Sequence, residues 1–198
     1  MNKYSTWFLC LFILSSYTVG QETNDAIIIG NKFQIESAVL DETREIWIST
    51  PQSYQISEES YPILILLDGD AHFHHTTGTV NFLAANDRIP EMIVVAIPNT
   101  DRTRDLTPAS RNSDDIENNP TQGGADNFLR FIGEELMPYI DENYRTRPYR
   151  VLIGHSYGGL FAIHTLISQP EYFDAYIAIS PSLQWSDQDL VAQAETFF

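Results

Sequence analysis

Four short apolar runs recur along the chain, and each predicts a β-strand. They cover residues 63–67, 92–97, 150–153 and 176–180. The first two are apolar on both faces, which is typical of strands covered by helices on both sides of a sheet. Helical periodicity occupies residues 76–85 and starts again at Asp126, and Pro138 should kink or restart that second helix. Strands alternating with helices predict an α/β fold with a mostly parallel sheet.

Two further segments frame this α/β pattern. Residues 33–40 and 45–50 alternate loosely between apolar and polar positions around a turn-rich triplet. They predict an antiparallel hairpin at the N-terminal edge of the sheet. Residues 98–124 are polar, and a loop of that length in a compact domain is usually functional or disordered.

The sequence Gly-His-Ser-Tyr-Gly at residues 154–158 lies between an apolar strand and a helical pattern. This context predicts a nucleophile elbow, in which a sharp strand-to-helix turn holds Ser156 above the sheet edge. Gly154 and Gly158 should be required because a side chain there would collide as strand and helix close together. The alternative is an ordinary turn in which Ser156 caps the helix.

Active sites of parallel sheets lie outside the carboxyl ends of the strands. A nucleophilic serine there needs backbone N–H groups that stabilise an oxyanion. The amide of Tyr157 is one predicted donor, and the amide of Asp70 or of Gly69 is the second. A plain turn is the other interpretation of residues 68–70.

A general base is harder to assign. His164 follows Ser156 by eight residues on the same predicted helix, about 12 Å away, so we interpret it as a packing residue. His155 should point away from the serine. The remaining histidines form one cluster (His72, His74 and His75), and His72 is the candidate for a substrate contact at the mouth of the site. A base from this cluster would break the usual chain order, and no further ligands suggest a metal site.

Two more residues are candidates for substrate binding. Arg104 follows the second apolar strand, as does Arg102, and an arginine there could hold a carboxylate or phosphate. Pairing of Arg104 with Asp105 to brace the loop is the alternative. Trp185 could form the wall of an acyl pocket, or it could cover the end of the sheet.

Residues 1–20 are predicted to be a signal peptide, with Lys3 followed by an apolar run from residue 7 to residue 14. An uncleaved anchor is the alternative. The mature domain would cover residues 21–198 and lack cysteine, because Cys10 is the only one. Such a chain is expected in the periplasm or outside the cell. The formal net charge of −16 argues against binding to nucleic acid or to anionic membranes after signal cleavage.

Four motifs together resemble one known family. They occupy residues 66–70, 104–108, 154–159 and 179–182. They are similar to the esterase D-like esterases, which are α/β-hydrolases related to enterochelin esterases and to IroE-like serine hydrolases. The resemblance implies hydrolysis of small-molecule carboxylic esters through an acyl-enzyme on Ser156, without a cofactor or metal. Tyr157 and the Gly69–Asp70 loop match the oxyanion hole of the family.

Family members carry the catalytic histidine, and any acidic partner, on later strands and loops. We therefore expect these residues beyond position 198, with the terminal strands of the sheet missing and little turnover in the polypeptide as given. A degenerate copy that lost its base is the alternative. An acyltransferase of the same fold and a non-catalytic binding module also remain open, as does the oligomeric state.

Overall fold

The computed structural model describes residues 26–197. The predicted signal peptide lies outside these residues. No helix within residues 26–197 has the length and hydrophobicity that crossing a bilayer requires.

Six strands and seven helices make up the described chain, together with short 3-10 turns. The strands are β1 (Asn31–Ser37), β2 (Glu42–Ser49), β3 (Tyr61–Leu66), β4 (Ile93–Ala96), β5 (Thr146–His155) and β6 (Ala175–Ile179). The helices are α1 (Gly69–Ala85), α2 (Arg102–Leu106), α3 (Ser113–Asn118), α4 (Ala125–Phe131), α5 (Met137–Asn143), α6 (Tyr157–Ser168) and α7 (Asp189–Phe197).

The strands form one sheet in the order β1-β2-β4-β3-β5-β6. β1 and β2 form the predicted antiparallel hairpin at one edge, and β2 also pairs antiparallel with β4. β4, β3, β5 and β6 are parallel to one another, so their carboxyl ends lie at the same edge of the sheet. The parallel α/β sheet predicted from the apolar runs is confirmed.

The side chains of β3 show why this strand is apolar throughout. Ile63 and Ile65 point into the larger core cluster, which also contains Phe161 of α6. Leu64 and Leu66 point the opposite way, into a second cluster with Phe73 and Val80 of α1. Helices therefore cover both faces of the sheet centre, and residues of alternate parity fill the two layers.

Two element boundaries and one loop differ most from the sequence prediction. α1 begins at Gly69 rather than near residue 76, and β5 starts at Thr146, four residues earlier than predicted. The polar stretch after β4 is not an extended loop, because it contains α2 and α3. The effect predicted for Pro138 is confirmed: a π-helical turn (Ile132–Leu136) interrupts the helix, and Pro138 lies in the first turn of α5.

Candidate active site

Ser156 lies between the last residue of β5 and the first residue of α6, with φ 58° and ψ −113°. A β-carbon added at Gly154 would lie 2.3 Å from the carbonyl oxygen of Gly158, so only glycine fits there. At Gly158 the nearest atom would be 3.3 Å away, which is tight without being a collision. Gly159 is more restricted, since its β-carbon would approach Pro181 Cα to 3.0 Å. The steric prediction holds for Gly154 and was too strong for Gly158.

The loop after β6 fastens the elbow from one side. The Ser156 amide donates to the carbonyl oxygen of Ile179 at 3.0 Å, and the Ser182 amide donates to the Ser156 carbonyl oxygen at 3.1 Å. The hydroxyl oxygens of Ser156 and Ser182 lie 3.1 Å apart. Within residues 26–197, Ser182 is the only hydrogen-bond partner of the Ser156 hydroxyl.

Backbone amides beside this serine point to an oxyanion site. The amides of Asp70 and Tyr157 have no acceptor among residues 26–197, and each lies in the first turn of a helix, α1 or α6. Free N–H groups at helix N-termini attract negative charge. Gly69 is a correction, because its amide donates to the carbonyl oxygen of Ile97 at 2.9 Å and is not free for an oxyanion.

Asp68 sets the geometry of the predicted oxyanion loop. It adopts a left-handed conformation (φ 52°, ψ 46°) directly before α1, and its carbonyl oxygen accepts from the amide of His72. Its carboxylate is almost fully buried and accepts from Arg102 Nε at 2.6 Å and Arg102 Nη2 at 3.0 Å. Asn99 Nδ2 donates to the same carboxylate at 2.8 Å.

Arg102 connects this loop to the elbow. Its Nη2 also donates to the His155 carbonyl oxygen at 3.3 Å, and its guanidinium carbon lies 5.2 Å from the centroid of the Tyr157 ring. The hydrogen bonds that Arg102 donates to Asp68 raise the pKa of Arg102 above its ordinary value, although burial opposes this. The two loops that carry the free amides are therefore held together by one permanent cation.

Arg104 and Trp185 do not face the site, which corrects both substrate-binding predictions. Arg104 donates to Asp105 Oδ1 and Glu42 Oε1, each at 2.7 Å, so the bracing alternative is the correct one. Trp185 is 4% exposed, and its Nε1 donates to the Pro108 carbonyl oxygen at 2.9 Å. Its ring packs against that of Tyr157, so the buried indole supports the first turn of α6.

His72 lies half-buried on α1, and its ring contacts the rings of His75 and His155 at centroid distances of 5.1 and 6.0 Å. The three histidines line a pocket of about 270 Å³ at the ends of β3 and β5. The role of His72 in substrate binding stays a prediction. Among residues 26–197, no three His, Cys, Asp or Glu side chains are placed to hold a metal ion.

His164 is a packing residue, as predicted. It is 8% exposed, and its Nε2 lies 2.8 Å from Asp126 Oδ1. Its Nδ1 lies 3.5 Å from Ser168 Oγ, but that hydroxyl donates to the His164 carbonyl oxygen at 2.8 Å. The Ser168 hydroxyl, the His164 ring and the Asp126 carboxylate therefore lie side by side on the flank of α6. This group lacks the two other parts of the candidate site, which are the strand-to-helix elbow and the free backbone amides.

Sequence reasoning located Ser156 and Tyr157 but missed the roles of Asp68, Asn99 and Ser182. Each of these residues lies two or three residues after the last residue of a strand, at the sheet edge where the four strand ends were expected to meet. That position is the one signal by which they could have been found. The expected convergence itself is observed, since the contacts described above join the loops after β3, β4, β5 and β6.

Residues 37–195 match the Esterase family, which is described as Putative esterase. The ferri-bacillibactin esterase BesA of Bacillus subtilis is 32% identical over 197 residues, which cover 91% of this chain and 68% of that protein. The siderophore enterobactin esterase of Emericella nidulans is 33% identical over 164 residues, or 74% of this chain and 54% of the relative.

Among solved structures, the IroE-like serine hydrolase from Shewanella oneidensis superposes with a TM-score of 0.78 at 38% identity, covering 85% of this chain and 55% of that protein. The chain thus spans about half the length of several of its relatives. The family match covers most of the chain, and the superposition on the solved relative covers 85% of it. The chain belongs to the Esterase family and has the α/β-hydrolase fold.

Proposed function

We propose that this chain carries the nucleophile and the oxyanion site of a serine esterase that hydrolyses carboxylic esters. The observation that carries the proposal is the elbow after β5, where Ser156 has a positive φ and where the amides of Tyr157 and Asp70 have no acceptor among residues 26–197. A strained backbone persists only where the surrounding structure enforces it, and such residues cluster at active sites. Membership of the Esterase family supports the same chemistry.

In the proposed reaction, Ser156 Oγ attacks the ester carbonyl carbon and its proton passes to a general base. The carbonyl oxygen becomes an oxyanion that accepts from the two free amides. Collapse of this intermediate breaks the bond to the alcohol oxygen, which leaves with the proton from the base. Water then attacks the acyl-enzyme by the same route, releasing the carboxylic acid and restoring the hydroxyl. No described residue is assigned the role of base.

The relatives support a proposal for the substrate class. Three of the curated relatives are named as esterases of siderophores: enterobactin, ferri-bacillibactin and triacetylfusarinine C. We propose that this protein likewise cleaves ester bonds in the backbone of a siderophore. We also propose that it is exported, since Lys3 and the apolar run after it have the order of charges and apolar residues found in a signal peptide.

A fluorophosphonate probe on the full-length gene product tests the nucleophile. We expect labelling of the wild-type protein and of a Ser168→Ala variant, and loss of labelling in Ser156→Ala. Ser168 is the matched control because its hydroxyl also lies beside a histidine that is paired with a carboxylate. Labelling that survives in Ser156→Ala, or a wild-type protein that is never labelled, contradicts the proposal.

The same labelled band also tests export after cell fractionation. We expect it in the periplasm or the medium, with a mass that corresponds to cleavage near Gln21. A labelled band that is found only in the cytoplasm at the uncleaved mass contradicts the proposed localisation and leaves the proposed chemistry standing.

A further inference from the structure

The loop after β6 contacts the nucleophile through both its backbone and a side chain. Its first residue, Ser180, has a left-handed φ of 43° that turns the chain back over the elbow. The Ser182 amide then donates to the Ser156 carbonyl oxygen, and the Ser182 carbonyl oxygen accepts from the Trp185 amide, each at 3.1 Å. The backbone of Ser182 is therefore fixed on both sides of its Cα.

Only the side chain of Ser182 is left to interact with the nucleophile. Ser182 is 8% exposed, and its Oγ lies 3.1 Å from Ser156 Oγ. Within residues 26–197 each of these hydroxyls has the other as its only hydrogen-bond partner. A buried hydroxyl without a partner is unfavourable, so the pair holds both side chains in one orientation.

We propose that Ser182 is a positioning residue for the nucleophile. In the resting protein its hydroxyl holds Ser156 Oγ in one of the three staggered rotamers. Once the Ser156 proton has passed to the general base, the Ser182 O–H donates to the Ser156 oxygen and stabilises its negative charge. Ser182 keeps its own proton throughout, and no covalent bond to it forms or breaks. This role rests on the proposed esterase function.

A positioning role predicts a specific kinetic signature. The contact acts on the attacking oxygen and not on the bound ester, so its loss lowers the rate of acylation and lowers kcat/KM by the same factor. The loss of one hydrogen bond to a charged oxygen corresponds to a decrease in rate of about tenfold to a hundredfold. Threonine retains the hydroxyl, so Ser182→Thr should recover most of the rate.

The experiment compares Ser182→Ala, Ser182→Thr and the wild-type full-length gene product. The rate of fluorophosphonate labelling and the kcat and KM for a p-nitrophenyl ester are measured at one pH, and thermal unfolding is followed in parallel. Ser37→Ala is the matched control, because Ser37 is also buried and its hydroxyl bonds Glu135, far from the elbow in β1. It should lower the unfolding temperature without changing the labelling rate.

The expected result is slower labelling and a lower kcat/KM in Ser182→Ala, with recovery of both in Ser182→Thr. Labelling of Ser182→Ala at the wild-type rate overturns the inference while leaving the proposed function intact. A Ser182→Ala protein that has unfolded at the assay temperature also overturns it, because the role is then structural. A wild-type protein that is never labelled overturns the proposed function and this inference together.

Discussion

Replacing Asp105 by Asn removes the central negative charge of a buried network that joins β2 to α2. Asp105 Oδ2 lies 2.6 Å from Arg44 Nη1, and the two side chains are 2% and 1% exposed. Arg104 Nε donates to the other carboxylate oxygen at 2.7 Å, and Glu42 accepts from both arginines. The Asp105→Asn variant keeps the shape of the side chain, so its effect reports the charge.

The structure sets the size of the loss. Removing one partner of a buried ion pair typically costs about 3–5 kcal/mol, because the other charge stays buried without compensation. Glu42 still accepts from Arg44 at 2.8 Å, so we expect a loss near the lower limit, about 3 kcal/mol. Arg44→Met should cost less stability, since Asp105 keeps its ion pair with Arg104. The double variant Arg44→Met/Asp105→Leu should recover about 2 kcal/mol relative to Asp105→Asn.

Urea unfolding followed by tryptophan fluorescence measures these free energies. The control is Glu134→Gln, which breaks an exposed pair with Arg130 and should cause no measurable loss. The reasoning is refuted if Asp105→Asn lowers the free energy of unfolding by less than about 1 kcal/mol. It is also refuted if the double variant is less stable than both Arg44→Met and Asp105→Asn.

Two further predictions concern pH and the elbow. Burial raises the pKa of Glu42, but hydrogen bonds from Arg104 and Arg44 outweigh this and bring it below its ordinary value of 4.5. The unfolded chain then binds this proton at higher pH than the folded chain, so the stabilising contribution of Glu42 is fully present above about pH 4.5. It is lost as the pH drops through the pKa of Glu42 in the folded chain. In Glu42→Gln, the urea midpoint should vary less with pH in that range; an unchanged acid dependence would contradict this. Gly154→Ala should abolish fluorophosphonate labelling, because its β-carbon would lie 2.3 Å from a backbone oxygen. Gly78→Ala, with no atom within 4 Å of its β-carbon, should label normally.

The apolar runs were sufficient to predict the strands because burial on both faces leaves a continuous signal. The start of α1 left no such signal, since Gly69 and three histidines give its first two turns poor helix propensity. Tertiary contacts decide that boundary. Phe73 is buried in the core cluster and packs against the Trp47 ring at a centroid distance of 5.6 Å. The helix therefore begins where packing requires it, seven residues before the periodicity becomes visible.

The site was predictable only where one local motif specifies it. Ser156 and Tyr157 were predicted from five consecutive residues. The sequence does not distinguish Arg102 from Arg104, although their side chains face different loops in the structure. They lie on the same short helix, α2, but Arg102 faces Asp68 beside the elbow and Arg104 faces Glu42 on the hairpin. Which face of α2 meets which loop depends on the docking of the hairpin, and spacing along the chain does not reveal it.

Three strand ends at this edge share a feature that explains why they form a site. The chain leaves β3, β5 and β6 through Asp68, Ser156 and Ser180, which are not glycine and yet have positive φ. Each such residue costs on the order of 1–3 kcal/mol unless its surroundings enforce it. Arg102 and Asn99 hold Asp68, while the amide of Ser156 bonds the last residue of β6 and its carbonyl oxygen bonds the loop after that strand. The contacts that enforce the strain at Asp68 and Ser156 also hold the Asp70 and Tyr157 amides and the Ser156 hydroxyl at the ends of two neighbouring strands, so stability and the proposed chemistry depend on one set of hydrogen bonds.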